Sequence, residues 1–220
     1  MKSSYIIPFA ILLGGAMVAT AIYISIPKTY HTSGNPALVR PVDTTDHILG
    51  NPAAPVQIIE YADFDCEYCK NTDDILHQII ANQGTDGSVA WVYREFPLTE
   101  IHPNALRHAE AAECAALVAG NDAFWRFKSA LFAHQPADPA TYGTLAKTIG
   151  LSGSDFATCV ANAATTVDVR IMADRKNALD MGAPGTPYSL ILVAGKAPVV
   201  MSGAYSYDDV KQLVDQARAK

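Results

Sequence analysis

The sequence predicts an α/β fold split by an all-helical block and preceded by an N-terminal helix apolar enough for a membrane. Three observations carry this prediction. First, the apolar run Val56 to Ala62 leads through a short turn with two cysteines into a helix-like run with Leu76, Ile79 and Ile80, and then into a second β-rich run, Val89 to Arg94. Strand, helix and strand in that order form a right-handed parallel crossover. Second, the apolar pattern from about 102 to 182 is helical. Third, two short β runs and an amphipathic stretch close the chain.

The chain organises as a membrane-targeting segment over 1–27, a linker over 28–46 and a folded domain over 47–220. No residue from Ile6 to Ile26 is charged, and a helix of that length covers the roughly 30 Å hydrocarbon core of a bilayer. The segment is either a signal anchor that stays in the membrane or a signal peptide, for which Ala19-Thr20-Ala21 offers a small-residue cleavage site. Lys2 and Lys28 flank it, so the positive-inside signal is weak. Residues 28–46 have the Pro, Thr, Ser, Gly and Asn content of a linker. The expected location is the cell membrane with the domain outside the cytoplasm, or the periplasm or exterior after cleavage.

The 220 residues, half of them apolar, suffice for one substantial core. A net charge of −6 without a basic cluster excludes a nucleic-acid surface. Four cysteines permit two internal bridges in an oxidising compartment.

Within the domain, His47 to Gly50 reads as a short edge strand running into the Asn51-Pro52 turn. The strand Val56 to Ala62 is buried, and Glu60 shares a face with Val56 and Ile58. An ionised carboxyl there is costly, so burial raises its pKa and lets it exchange protons with a nearby thiol. The alternative is an edge strand with Glu60 in water. Cys66 falls at a helix start, where unpaired N–H groups and the macrodipole favour an anion. Cys69 lies on the next turn. The pair reads as a redox switch in which Cys66 attacks and Cys69 resolves. Half of a zinc site and an inert disulfide are the competing readings, but Cys114 and Cys159 stand alone and supply no second ligand pair. No metal or cofactor is expected.

After the loop from Asn82 to Gly87 and the strand from Val89, the insertion opens with a small-residue stripe, Ala105, Ala109, Ala112 and Ala116, suited to close packing. A bulky stripe follows at Phe124, Phe127 and Leu131, and three more helical stretches lie at about 141–150, 154–163 and 165–181. Tyr188 to Val193 and Pro198 to Met201 flank Ala194-Gly195-Lys196-Ala197 as a hairpin. Ser206 with Asp209 resembles a capping box, and Val210, Leu213, Val214 and Ala217 form the apolar face of the last helix. Pro187 opens a strand after Gly185-Thr186, a place where a cis peptide bond is tolerated, although spacing alone favours trans.

Leu49-Gly50-Asn51-Pro52, the strand ending at Phe64-Asp65-Cys66, the Cys-x-x-Cys, Phe96-Pro97-Leu98 with His102-Pro103, Ala112-Glu113-Cys114-Ala115, Phe124-Trp125 and Gly185-Thr186-Pro187 together resemble the DsbA-like branch of the thioredoxin superfamily. The resemblance covers nearly all of 47–220. It implies a thioredoxin fold with an inserted all-helical domain, a cis Thr186–Pro187 bond beside the cysteines, and substrate binding at Thr186 and Pro187. It implies thiol–disulfide exchange with secreted or membrane protein substrates, and a membrane redox partner for recycling. Glu60 falls where the family keeps its buried acid. Some members also carry a second bridge, which implies a structural disulfide between Cys114 and Cys159; the alternative is two unpaired buried thiols. The sequence departs from many members in having Glu67-Tyr68 between the cysteines. An acid beside Cys66 opposes its ionisation and makes the disulfide less oxidising. Oxidation of substrate dithiols is therefore read against a reductase or isomerase fed by a membrane donor, and against a redox-inert, chaperone-like peptide-binding module.

Overall fold

A computed structural model describes residues 35–151 and 153–219. The expected membrane segment at 6–26, its flanking Lys2 and Lys28, and the first part of the linker lie outside these residues. Among the described residues no helix is long and apolar enough to cross a membrane.

A five-stranded sheet forms the centre of the fold. Its strands are β1 (His47–Gly50), β2 (Val56–Ala62), β3 (Val89–Glu95), β4 (Tyr188–Val193) and β5 (Val199–Ser202), in the order β1-β3-β2-β4-β5. Only β2 and β3 run parallel, joined by α1 (Glu67–Gln83) as the crossover; the other neighbours are antiparallel. Thus β2 is interior to the sheet and Glu60 cannot reach water along an edge. The helix α1 extends to Gln83, one residue further than the predicted loop start, and Gly84 then closes onto the Ile80 carbonyl. Gly50 ends β1 at φ +102°, and a Cβ there would stand 3.0 Å from the Val89 carbonyl oxygen, so the turn after the edge strand requires glycine.

Between β3 and β4 lie α2 (Ala105–Ala119), α3 (Asn121–Ala133), α4 (Tyr142–Thr148), α5 (Gly153–Ala161), α6 (Ala163–Thr166) and α7 (Asp168–Asp180). The single residue Gly120, at φ +82°, separates α2 from α3. The small side chains of Ala105, Ala109 and Ala112 are fully buried and let α3 approach closely. The last helix is α8 (Tyr207–Arg218), and its N-cap Ser206 accepts from the Asp209 backbone N–H at 3.2 Å. In the hairpin, β5 begins at Val199 rather than Pro198.

Strand alternation divides the core between the two sheet faces. Val56, Ile58, Ala62, Trp91 and Tyr93 pack with Leu76 and Ile79 of α1, with Val210 and Val214 of α8, and with the insertion helices. Ile59, Tyr61, Val92, Tyr188 and Leu190 pack with Ala178 and Met181 at the end of α7. The second face also holds Arg94, fully buried, whose guanidinium donates to both Asp46 oxygens, to the Arg40 and Pro41 carbonyls and to the Tyr61 hydroxyl.

Candidate functional site

The candidate site forms where the parallel strands end. Asp63, Phe64 and Asp65 turn the chain from β2 into α1 and are held from several directions. Asp63 accepts from Asp65 N and Leu98 N, both at 2.8 Å, and its Oδ2 is 2.9 Å from His102 Nδ1. Gln135, from the loop after α3, donates to the Phe64 carbonyl at 2.8 Å. A turn fixed this firmly sets the position of the next residue, Cys66, as N-cap of α1.

Cys66 and Cys69 are both free thiols, but their surroundings differ. Cys66 keeps a small opening to solvent, and its Sγ donates to the Thr186 carbonyl at 3.4 Å. A hydrogen bond from the Cys69 thiol brings its pKa down to about 6, aided by the Thr186 side chain and the backbone N–H groups of Cys69 and Tyr68, against the opposing effect of burial. Cys69 is fully enclosed and accepts from Asp63 N at 3.4 Å. Burial, its hydrogen bond to Cys66 and the negative charge of Cys66 and Glu60 push it well above the ordinary thiol range.

The expected effect of Glu67 is not what decides the Cys66 pKa. That side chain is exposed, where water screens it, while the donors aimed at Cys66 Sγ are short-range and partly desolvated. The Thr186–Pro187 bond is cis, and so is Gln135–Pro136, which no local pattern announced.

Glu60 lies beneath the pair. Its Oε2 accepts from Trp91 Nε1 at 3.1 Å, and its Oε1 has no hydrogen-bond partner. Burial pushes its carboxyl up to about 7, opposed by the charge of Lys128 and the Trp91 bond. Lys128 was not singled out in the sequence. It is fully buried, pairs with Asp73 of α1, and sits 4.1 Å from the ring centroid of Trp91 and 4.8 Å from that of Trp125. Burial lowers its pKa to about 7, while Glu60 and Cys69 act to raise it. The available signal was its place in the apolar stripe of α3, four residues after Phe124 and three before Leu131.

The structure thus brings together Cys66, Cys69, Glu60, Thr186 and Pro187. Cys114 and Cys159 are bonded to each other and tie α2 to α5, with Cα atoms 5.6 Å apart. Among the described residues no cluster of His, Cys, Asp and Glu is arranged to hold a metal ion.

A family model described as Thioredoxin matches residues 43–216. The chain belongs to the thioredoxin family. Its solved likenesses share the fold. Alpha-DsbA1 of Wolbachia pipientis superposes with a TM-score of 0.70 at 21% identity, over 83% of this chain and 95% of that one. BdbD of Bacillus subtilis gives 0.69 at 23%, over 82% and 97%. The thiol-disulfide exchange protein alpha-DsbA2 of Wolbachia pipientis gives 0.68 at 22%, over 79% and 88%. Among curated relatives, the Na(+)/H(+) antiporter NhaA 3 of Salinispora tropica is 42% identical over 110 residues, which are 48% of this chain and 16% of the antiporter. NhaA 1 of Mycobacterium sp. (strain KMS) is 33% identical over 183 residues, 81% of this chain and 28% of that protein. The matched stretches are thus 16% and 28% of the length of these relatives.

Proposed function

We propose that this thioredoxin-family protein is a thiol–disulfide oxidoreductase that exchanges a Cys66–Cys69 disulfide with protein thiols and introduces disulfides into them. One observation carries the reading: Cys66 caps the N-terminus of α1 with a small opening to solvent, while Cys69, three residues on, is fully enclosed, an arrangement that holds the first thiol down and pushes the second well above the ordinary thiol range. Only one sulfur of such a pair is a good nucleophile and leaving group near neutral pH.

A substrate thiolate attacks Cys66 Sγ in the disulfide form, and Cys69 departs with the bonding electrons. An enclosed thiolate is costly there, so Cys69 takes the proton that Glu60 carries near neutrality. A second substrate thiolate then attacks the substrate sulfur of the mixed disulfide and releases Cys66 as a thiolate. Stabilisation of that thiolate stabilises the reduced enzyme, which favours the oxidising direction. Thr186 and Pro187 stand beside Cys66 and are suited to offer backbone groups to an extended peptide.

Two features support a site of action outside the cytoplasm: the uncharged stretch 6–26 and the Cys114–Cys159 bridge, since such bridges persist in oxidising compartments. A membrane partner would then reoxidise the pair. The exchange activity described for alpha-DsbA2 agrees with this reading. Incubating the oxidised protein with a reduced, unfolded substrate tests it. Stoichiometric transfer of the disulfide supports the proposal, and a pair that reduces substrate disulfides instead reverses its direction.

A further inference from the structure

We infer that Trp91 positions the buried acid of the thiol site: its indole N–H takes one oxygen of Glu60 and so leaves the other as the atom that holds the exchangeable proton. The inference rests on the proton transfer proposed above for Glu60. Trp91 is fully buried on β3 and stands beside Ile58 in the parallel register. Glu60 is two residues further along β2, the next position on the same face. Trp91 Nε1 donates to Glu60 Oε2 at 3.1 Å, and Glu60 Oε1 has no hydrogen-bond partner among the described residues.

A buried indole N–H needs an acceptor wherever it lies, and here the acceptor is the carboxyl beneath the cysteine pair. An indole N–H only donates, so Oε2 must meet it with a lone pair. In the neutral acid the proton therefore sits on Oε1, and in the carboxylate the charge meets a donor already in place. A bond to the ionised form is the stronger of the two. One contact thus selects the oxygen that gives and takes the proton and eases the ionised form. It works against burial, which pushes Glu60 up to about 7.

The indole is itself held on several sides. Lys128 Nζ lies 4.1 Å from its ring centroid, the Trp125 ring meets it at 4.7 Å and 61°, and the His77 ring at 5.1 Å and 84°. Asp73 of α1 anchors Lys128 through their ion pair, and its other oxygen stands 3.7 Å from His77 Nε2. Packing this close fixes the ring in one orientation, and with it the direction of the N–H. Side chains from α1 and α3 thereby aim a donor of β3 at Glu60.

The atoms and charges balance without Trp91 gaining or losing a proton. The Cys66–Cys69 bond breaks with its electron pair on Cys69, the new thiol takes the Oε1 proton, and Glu60 is left as a carboxylate bonded to Trp91. When a partner disulfide reoxidises the pair, Cys69 gives that proton back as it attacks the mixed disulfide at Cys66. Trp91 acts through Glu60 and is a positioning residue. The charged and titratable groups that act on Glu60 are Lys128 of α3, Cys66 and Cys69 at the start of α1, and Tyr93 of β3. Lys128, brought to about 7 by burial, titrates in the same range, so the limb that belongs to Glu60 is the one that Glu60→Gln removes.

The test uses the full chain in its oxidised form, reduced by a dithiol peptide across a range of pH. Two variants remove the donor. One is Trp91→Phe; the other carries 3-benzothienylalanine at position 91, which replaces the N–H by sulfur, keeps the shape of the ring and serves if Trp91→Phe does not fold. In either, the alkaline limb that belongs to Glu60 should move upward by about one pH unit. The rate on the acid side of that limb should fall roughly tenfold, because the carboxyl is no longer aimed and its proton is shared between two oxygens. Combined with Glu60→Gln, neither variant should slow exchange further. Infrared difference spectra between the wild type and Glu60→Gln mark the Glu60 carboxylic-acid band, which should move to higher frequency when its carbonyl oxygen loses the donor. A limb that stays or moves down, a band that stays, or an equal loss of rate with and without Glu60 would each overturn the inference. A wild type that exchanges with a Glu60-dependent limb beside such results leaves the proposed function standing. A wild type that fails to exchange overturns both, and one indifferent to Glu60→Gln overturns the proton step and this inference with it.

Discussion

The two cysteine pairs show how one side chain serves two purposes in one chain. Cys66 and Cys159 are each 7% exposed, and Cys69 and Cys114 are each fully buried, so exposure does not separate the pairs. Position relative to a helix end does. Cys66 caps the N-terminus of α1, where the backbone N–H groups of Cys69 and Tyr68 favour its thiolate, whereas Cys114 lies in the middle of α2 and Cys159 inside α5, where N–H groups are committed to the helix. The first pair is a dithiol with unlike pKa values, and the second a bridge across 45 residues. A thiol becomes reactive through the donors that face it, and structural through a partner that faces it.

The sharpest way to break this contrast is at Cys66. Cys66→Ala should abolish exchange, and Cys69→Ala should accumulate mixed disulfides through Cys66, since no resolving thiol remains. Trapping experiments with thiol-containing substrates read both outcomes, and adducts mapped to Cys69 would reverse the assigned roles. Next in size comes the second pair. Replacing Cys114 and Cys159 together by alanine opens a loop of 45 residues and should cost up to about 4 kcal/mol, seen as a fall in Tm on the order of 10 °C. Exchange at Cys66 should persist, and its loss would show that the two pairs are not independent.

A smaller effect lies beneath the reactive pair. The Glu60 carboxyl is held up to about 7 in the folded chain against an ordinary 4.5. Its neutral form therefore contributes fully below pH 4.5, and the contribution declines between 4.5 and 7 as the unfolded chain ionises and the folded one does not, and is gone above. The span corresponds to about 3 kcal/mol. Glu60→Gln should remove that slope, so denaturant unfolding should find the variant gaining on the wild type as pH rises from 4.5 to 7. Parallel stability curves would place Glu60 in water. The smallest effect is expected at Lys128, whose charge lowers the Glu60 pKa. Lys128→Met should let Glu60 keep its proton to higher pH and move the alkaline limb of exchange upward by about one pH unit, roughly 1.4 kcal/mol. A limb that moves down, or not at all, would remove Lys128 from the site.

Much of the site was legible because its first determinants are local. The run Val56 to Ala62 is observed as β2 with those bounds, and the helix start at Cys66 follows from the same few residues. Period-2 alternation placed Glu60 among apolar neighbours, and a capping pattern placed the start of α8. The β-branched and aromatic run from Val89 gave the second parallel strand, short by Glu95 alone. Glu95 was missed because a charged residue at the end of such a run reads as the point where a strand meets water.

What the sequence determined, then, is whatever depends on neighbours a few residues apart: the periodicity of strands and helices, the chemistry of a thiol at a helix start, and the order of the elements. Tertiary structure alone decided which distant groups share a low-dielectric space. Lys128 reaches Asp73 and the field of Glu60 only because α3 packs against the sheet face that carries Trp91 and Tyr93. Glu95 remains unpartnered only because α2 and α7 enclose it and bring like charges toward it. Such proton affinities depend on burial and on charges brought together from across the chain, and no spacing of letters expresses either one.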